Sequence, residues 1–467
     1  MTPRRFLFAL LACAGLAATS LLIAAEPVYD AWAWLVWGRE LTHLRLDLTT
    51  GPSWKPLTVV LAAPISLAGD AAPALWLVLV RTAWLLSFVL AADLARSMTA
   101  GRPRALRIAA AAFAVAALVL LSDEVTTWGR QAAGGMSEPL LVALVLGAVR
   151  TALGGRVRWA LLLGAAAALL RPEAWPLLAL YGVWCWRGDP RSRPLVAAVA
   201  AGVAALWLAP ELLADGGGGA GRAQRHTSDP REAVGRAIVL PLAVAWPLAL
   251  FALRSRAARV LAAGALVWIA VVAAMTTIGF AGLPRFMAPA AAIVCVLGGV
   301  GLAEGLAHVR RRPRPRTAAL AAGLLVAAAA VVTAAGLPDR VFDVSQAWRT
   351  AAQTQEANAR LRWVVRRIGR EQLLRCGKLA TTDALVRTAL AWELDVALSQ
   401  VVVFGSPPHA SGAFVLGLGA PRALHDDVRS AGRLLGVSGE WRAYSIGCPV
   451  TANSPPPRNA GVAGASR

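Results

Sequence analysis

The sequence has almost no lysine: Lys55 and Lys378 are the only two, although the formal net charge is +21. Arginine therefore carries nearly all of the positive charge. Long polar stretches are also scarce, since 57% of the residues are hydrophobic and the mean hydropathy is +0.58. Soluble domains do not reach that level over 467 residues. The composition therefore excludes an ordinary soluble protein and predicts a polytopic, α-helical membrane protein.

Cysteine and histidine number only five each, and no Cys/His spacing is typical of a metal site. Cys13, Cys185 and Cys295 lie within apolar runs, where cysteine is most simply a small core residue. Cys376 and Cys448 lie in the polar C-terminal part. They predict one disulfide if that part faces an oxidising compartment.

About eleven apolar runs could cross a bilayer as helices, although several are shorter than the ~20 residues of a full span. The runs are 6–25, 73–95, 105–121, 138–150, 159–170, 174–187, 195–213, 236–253, 258–278, 287–307 and 317–336. The first could instead be a cleavable signal peptide, but its length favours an uncleaved helix. The stretch 57–68 is too short to span, so we expect a juxtamembrane or re-entrant helix; a true span there would invert the topology.

Charged residues are rare in these runs, where Arg81 and Asp93 are the main exceptions. A shortage of carboxylates argues against an ion-coupled transporter. Arginines instead concentrate in short loops, which all lie on the cytoplasmic side if the N-terminus does: 96–107, 150–158, 187–193, 254–259 and 310–316. This positive-inside pattern explains the net charge by topology rather than by a nucleic-acid partner.

The first loop on the opposite, outer side, 26–56, is rich in tryptophan, which settles at membrane–water boundaries. A helix over 29–46 would place Trp37, Leu41 and Leu44 on one face, as in an amphipathic helix lying on the bilayer. Asp30 would lie at its start, either as a helix cap or as a base. Lys55, just before Pro56, could pair with lipid headgroups or hold the phosphate of a lipid-linked substrate.

Further charged residues collect in the other outer loops. Arg130 and Glu138 belong to a loop that could be a second functional cluster or only a solvated loop with a helix-start glutamate. Arg171 and Glu173 flank Pro172, in a hairpin turn where charges are costly unless they are paired or face water. Arg285 opposes the positive-inside trend and is a candidate for gripping a phosphate.

The outer loop 214–235 contains four consecutive glycines and His226, a candidate substrate-binding residue. The loop is either a flexible connector or a lid over a cavity on the lipid side. Beyond the transmembrane domain, 1–336, we expect a small extracytoplasmic α/β domain over 337–452, with a helix over 345–374 and strands near 379–380, 401–404, 413–418 and 441–446. The Pro/Gly-rich tail 453–467 is predicted to be disordered.

The order of these motifs resembles the GT-C superfamily of membrane glycosyltransferases, of the protein O-mannosyltransferase and aminoarabinose-transferase type. Trp54-Lys55-Pro56-Leu57 is similar to the family's Lys-Pro-Pro-Leu stretch, with Leu57 in place of the second proline. Asp30 matches the first outer loop, and residues 130–138 match the second, although Glu138 is a lone acid there. Arg171-Pro172-Glu173 and the stretch 283–289 also match, so the resemblance covers residues 1–310.

The resemblance implies an inverting transfer of a sugar from a polyprenyl-phosphate carrier to an outer glycan, lipid or protein acceptor. Asp30 would be the general base, while Lys55, Arg130 and Arg285 would neutralise the leaving phosphate. The resemblance assigns no cofactor and leaves a divalent metal open. The preference for arginine over lysine, together with the abundance of alanine, suggests a bacterium with a high-GC genome. We therefore expect the protein in a bacterial cell membrane. Two other functions stay open: a transporter or flippase of a lipid-linked glycan, and a non-catalytic membrane scaffold.

Overall fold

A computed structural model describes residues 2–23, 26–122, 128–213, 229–311, 317–375, 379–383, 386–403, 412–417 and 422–447. His226, Cys376, Cys448 and the predicted disordered tail lie outside these described residues. The chain divides into two compact units, residues 1–352 and 353–467. The sequence-based boundary at 336/337 and this division both fall within one long helix.

The first unit is built from helices, as its hydropathy predicts. They are α1 (Pro3–Thr19), α2 (Tyr29–Thr42), α3 (Pro56–Ser66), α4 (Ala72–Met98), α5 (Arg104–Val119), α6 (Trp128–Ala133), α7 (Glu138–Leu153), α8 (Val157–Ala168), α9 (Trp175–Gly188), α10 (Arg193–Leu213), α11 (Pro230–Val239), α12 (Ala245–Ala252), α13 (Arg256–Thr277), α14 (Ala288–Arg311) and the first part of α15 (Thr317–Ile368).

Six helical stretches of the described chain are long and apolar enough to cross a membrane: Pro3–Leu22, Gly69–Met98, Pro190–Pro210, Arg256–Thr277, Pro284–His308 and Gly323–Phe342. They confirm a multi-pass membrane protein. The predicted number of eleven spans is not confirmed, because the helices in four of the predicted runs, α5, α7, α8 and α9, have only 12 to 16 residues. Helix α3, with 11 residues, is the short helix expected after Lys55.

Helix α14 is the buried centre of this unit, because small residues let its neighbours approach closely. A Cβ atom on Gly299 would lie 2.3 Å from the backbone oxygen of Ala110 in α5. One on Gly301 would lie 1.7 Å from the backbone oxygen of Leu248 in α12. Glycine at these two positions therefore permits backbone contact between α14 and the helices on either side.

The predicted run 236–253 is two helices rather than one. Pro241 follows the end of α11, and α12 begins only at Ala245. The carbonyl groups freed by this break accept hydrogen bonds from Arg340 of α15: its Nη1 donates to Leu240 at 2.9 Å and its Nη2 to Val239 at 2.7 Å. The guanidinium thus satisfies helix ends that would otherwise lose their partners.

Helix α2 differs from the amphipathic surface helix that the sequence predicts. It ends at Thr42, so Leu44 lies beyond it, 90% exposed and with a positive φ of 55°. Trp37 is fully buried, and the charged Glu40 in the same helix is also buried. The prediction was wrong because α2 packs inside the protein against α3, where Gly38 lies directly against the backbone of Ala62.

The second unit contains a five-stranded sheet, which confirms the predicted small C-terminal sheet. Strands β1 (Leu379–Thr381), β2 (Val401–Val403) and β3 (Gly412–Leu416) are parallel, whereas β4 (Arg433–Ser438) and β5 (Trp441–Ile446) are antiparallel; the order is β2-β1-β3-β5-β4. Its helices are the end of α15, α16 (Arg370–Leu374), α17 (Arg387–Glu393) and α18 (Arg422–Ala431). Residues of β3, β5 and α18 form one apolar core.

Candidate active site

Lys55 is fixed where the chain enters α3. It is the N-cap residue of that helix, and Pro56 supplies the first turn with a preset φ. The hydroxyl of Thr58 donates to the backbone oxygen of Lys55 at 2.8 Å. The backbone N–H of Leu57 donates to the backbone oxygen of Leu169 at 3.2 Å, and Leu169 lies just beyond α8. The start of α3 is therefore tied to the segment that carries Arg171.

Glu138 lies at the first residue of α7 and is fully buried at the centre of three cations. Its Oε1 accepts a hydrogen bond from Arg171 Nη2 at 2.6 Å. The same oxygen lies 3.9 Å from Lys55 Nζ and 3.8 Å from Arg285 Nε. A buried carboxylate is tolerated only when charges and hydrogen bonds compensate for its lost hydration, and here three positive groups do so.

Arg171 is held on more than one side. Its guanidinium carbon lies 3.5 Å from the ring centroid of Phe286, close enough for a cation–π contact. Its Nη1 lies 3.7 Å from Glu173 Oε1, and both side chains are buried. The turn Pro172–Ala174 is thus more than a hairpin, because its flanking charges are paired with each other and with Glu138.

Asp30 and Arg285 form the more accessible side of the cluster. Their side chains are 19% and 26% exposed, whereas that of Glu138 is not exposed at all. Arg285 Nη2 lies 3.9 Å from Asp30 Oδ2, which is an ion pair but too long for a hydrogen bond. Asp30 occupies the first turn of α2, where a carboxylate is favourable. Because its side chain is partly exposed, Asp30 keeps a face that an incoming molecule can reach.

The ammonium of Lys55 is almost wholly enclosed. Lys55 Nζ donates to Ser137 Oγ at 2.8 Å and lies 4.9 Å from the ring centroid of Trp34. Burial, together with the positive charge of Arg171, lowers the pKa of Lys55 to about 8 from its ordinary 10.5, although Glu138 and Asp30 oppose this change. Lys55 is therefore charged at neutral pH and loses its proton in mildly alkaline solution.

The loop before Glu138 is positioned by two residues of α4. Arg81 Nη2 donates to the backbone oxygen of Ala133 at 3.3 Å, and Trp76 Nε1 donates to that of Gly135 at 2.8 Å. The segment before α2 also holds this loop, because the backbone N–H of Val28 donates to the backbone oxygen of Gly134 at 2.9 Å. These contacts hold Ser137 and Glu138 against Lys55, and they also explain the buried arginine in α4.

The structure thus brings together six of the residues that the sequence proposes for the site: Asp30, Lys55, Glu138, Arg171, Glu173 and Arg285. Arg130 lies in α6 and is exposed, unlike the buried members of the cluster. Sequence reasoning missed Ser137 and Phe286, although each is the immediate neighbour of a predicted charged residue. Nothing in the local pattern indicated that their side chains would touch Lys55 and Arg171.

Among the described residues, no group of three or more His, Cys, Asp or Glu side chains is arranged to hold a metal ion. The carboxylates of the cluster face arginine and lysine instead. This donor set does not fit a divalent metal, since the cations would repel it.

The sequence matches no family model and no curated protein. The structure is similar to two crystal structures of ArnT from Cupriavidus metallidurans, one bound to undecaprenyl phosphate and one in the apo state, with TM-scores of 0.53 and 0.51. The chain has the ArnT fold. The sequence identity is 14% in both comparisons, which cover 95% of this chain and 98% of the ArnT chain. The shared fold confirms the α-helical membrane architecture with a small C-terminal sheet that the sequence predicts.

Proposed function

We propose that this protein is a membrane glycosyltransferase that takes its sugar from a polyprenyl-phosphate carrier. The observation that carries the proposal is the convergence of Lys55, Arg171 and Arg285 beside the accessible carboxylate of Asp30. Three clustered cations suit a phosphate, and arginine can bind one through two parallel hydrogen bonds. The ArnT structure with undecaprenyl phosphate supports the same class of ligand for this fold.

An apolar groove supports a lipid-linked donor. A cavity of about 440 Å³ lies between α8, α9 and α10 and is lined by apolar side chains. One of its lining residues, Trp175, follows Glu173 by only two positions, so the groove starts near the charged cluster. An isoprenoid chain in this groove would leave its phosphate close to Arg171.

In the proposed reaction, Asp30 takes the proton from an acceptor hydroxyl group. The acceptor oxygen forms a bond to the anomeric carbon from the face opposite the phosphate, so the configuration inverts. The bond between the anomeric carbon and the phosphate oxygen breaks, and the polyprenyl phosphate leaves with the electron pair. Lys55, Arg171 and Arg285 stabilise the charge that develops on this phosphate. Arg130 and His226 stay predictions as further substrate contacts.

The proposed location is a bacterial inner membrane, with the N-terminus in the cytoplasm. This orientation rests on the arginine-rich loops predicted to be cytoplasmic. It places Asp30, Lys55 and the domain over 337–452 outside, so that the acceptor is an extracytoplasmic glycan, lipid or protein.

The decisive experiment compares purified wild type with Asp30→Asn on radiolabelled polyprenyl-phosphate sugars, each with candidate acceptors. Wild type should release polyprenyl phosphate, and Asp30→Asn should bind the donor but turn over at least about 100-fold more slowly, since a general base contributes that much. Asp70→Asn is the matched control, because Asp70 is exposed and lies outside the cluster.

Wild-type turnover by Asp30→Asn would remove Asp30 as the base. Failure of wild type to bind any donor of the panel would contradict a glycosyltransferase and favour the flippase or scaffold.

A further inference from the structure

A second feature lies beside Glu138 and Arg285. A small cavity of about 10 Å³ is lined by Leu121, Trp128, Gln131, Glu138, Leu240, Arg285 and Ala288. Its volume is close to that which one water molecule needs. Arg285 and Glu138 therefore contribute both to the charged cluster and to this cavity.

Four polar atoms of the lining residues are buried without a hydrogen-bond partner among the described residues: Trp128 Nε1, Gln131 Oε1, Glu138 Oε2 and Arg285 Nε. Trp128 is 2% exposed, Gln131 6% and Glu138 not at all. Leaving a buried polar atom unpaired costs free energy, and buried polar groups in native proteins nearly always have a partner. Four such atoms around one cavity point to a ligand.

The chemistry of the four atoms selects the kind of ligand. Two are N–H donors and two are oxygen acceptors, which is the complement of a water molecule and close to that of a sugar hydroxyl. A metal ion would be repelled by the two N–H groups, and an anion by Glu138. We propose that Trp128, Gln131, Glu138 and Arg285 form a binding site for a single neutral hydroxyl oxygen.

The oxygen has two possible sources. One is a water molecule bound in the resting protein. The other is a hydroxyl group of the donor sugar, which Arg285 would place near the phosphate; this source rests on the proposed function. In the second case Gln131 is a specificity-determining residue, because a site built to bind a hydroxyl rejects a substrate that lacks it.

The first measurement is thermal unfolding of the detergent-purified full chain without donor, for wild type, Gln131→Leu and Trp128→Phe. If water occupies the site, both variants lose a hydrogen bond and have a lower Tm than wild type. If the atoms are unpaired in the resting protein, replacing Gln131 by an apolar group of similar size leaves Tm unchanged or raises it. Thr99→Val, which removes a buried hydroxyl outside the cavity, shows the effect of an ordinary polar-to-apolar change.

The second measurement uses a series of lipid-phosphate sugars, each lacking one hydroxyl. If the oxygen belongs to the sugar, one deoxy donor lowers kcat/KM about tenfold in wild type and by clearly less in Gln131→Leu, since in that variant the hydroxyl has already lost one of its hydrogen bonds. Either a lower Tm for Gln131→Leu or this coupling supports the site. A Gln131→Leu protein at least as stable as wild type, together with no coupled deoxy donor, overturns it. If wild type turns over no donor, the proposed function fails, and the Tm comparison alone decides the site.

Discussion

Single residues at the site are held by a few strong contacts that link distant parts of the sequence. Glu138 Oε1 alone contacts Arg171 and lies within 4 Å of Lys55 and Arg285. Burying one such charge alone costs a large desolvation free energy, and neighbouring opposite charges offset that cost. The cluster therefore behaves as one unit, in which a change to one charge alters the environment of the others.

The pKa of Lys55 predicts a pH dependence for phosphate binding. As pH rises through about 8, Lys55 loses its charge, and the affinity for polyprenyl phosphate should fall. Lys55→Arg should bind without this decrease, because a guanidinium stays protonated. Binding to the purified protein between neutral and alkaline pH checks both expectations. Equal pH profiles for the two proteins would contradict the assignment of Lys55 to the phosphate.

The same pKa has the opposite effect on stability. In the unfolded chain the pKa of Lys55 is near its ordinary 10.5, so between pH 8 and 10.5 the unfolded chain binds more protons than the folded chain. The Lys55 contribution to the free energy of unfolding therefore rises with pH across this window. If binding were lost above pH 8 because the protein unfolds, the measured free energy of unfolding would fall with pH instead of rising. A stability measurement therefore separates the two causes.

Removing the central carboxylate should destabilise the protein. Glu138→Gln leaves three cations without their shared anion, and breaking a buried ion pair in this way typically costs about 3–5 kcal/mol. Chemical denaturation of the detergent-purified protein measures the change. Glu232→Gln, which removes an exposed pair with Arg236 on α11, should produce no measurable change. Equal effects of the two substitutions would show that burial of Glu138 does not matter.

Helices approach one another in this fold through small residues, most closely around α14. Gly301→Ala should lower the free energy of unfolding by about 1–3 kcal/mol, because the new Cβ collides with the backbone of Leu248 and forces the helices apart. Gly264→Ala is the matched control: that glycine, in α13, has no atom within 4 Å of the added Cβ. The control should gain about 0.5–1 kcal/mol from helix propensity. A harmless Gly301→Ala would contradict the close packing.

The groove between α8, α9 and α10 should select long lipid chains. Ala200 lines it, so Ala200→Trp should weaken binding of a long polyprenyl phosphate at least about tenfold, since each methylene kept from its apolar contact costs ~0.8 kcal/mol. A short-chain phosphate should bind as it does to wild type. Ala201→Trp, at the neighbouring position outside the groove, is the control. Similar losses for both chain lengths would show that the groove does not hold the lipid.

At the scale of the whole molecule, we expect the helical domain to span the membrane and the domain over 337–452 to be extracytoplasmic. In a chain with its five native cysteines replaced, Ser430→Cys in α18 should react in intact cells with a membrane-impermeant maleimide. Arg158→Cys in α8 should react only after the cells are opened. Both positions are exposed, so a difference reports sidedness rather than burial. The reverse result would invert the predicted topology.

The sequence by itself determined the membrane class, the position of the small C-terminal sheet and the charged residues that collect at the site. Hydropathy and the placement of arginine are local or summed properties, so they survive without knowledge of the packing. Four of the five strands were also predictable, since their apolar runs are local. Strand β4 was not, because it is largely exposed and its pattern resembles a loop.

Only the tertiary structure decided which residues meet. Asp30, Glu138 and Arg285 lie more than 100 positions apart from one another, and no local pattern specifies that α2, α7 and the turn before α14 bring them together. The burial of α2 and the contacts of Ser137 and Phe286 were likewise set by neighbouring helices. Periodicity can indicate which face of a helix is apolar, but what covers that face depends on packing across the whole unit.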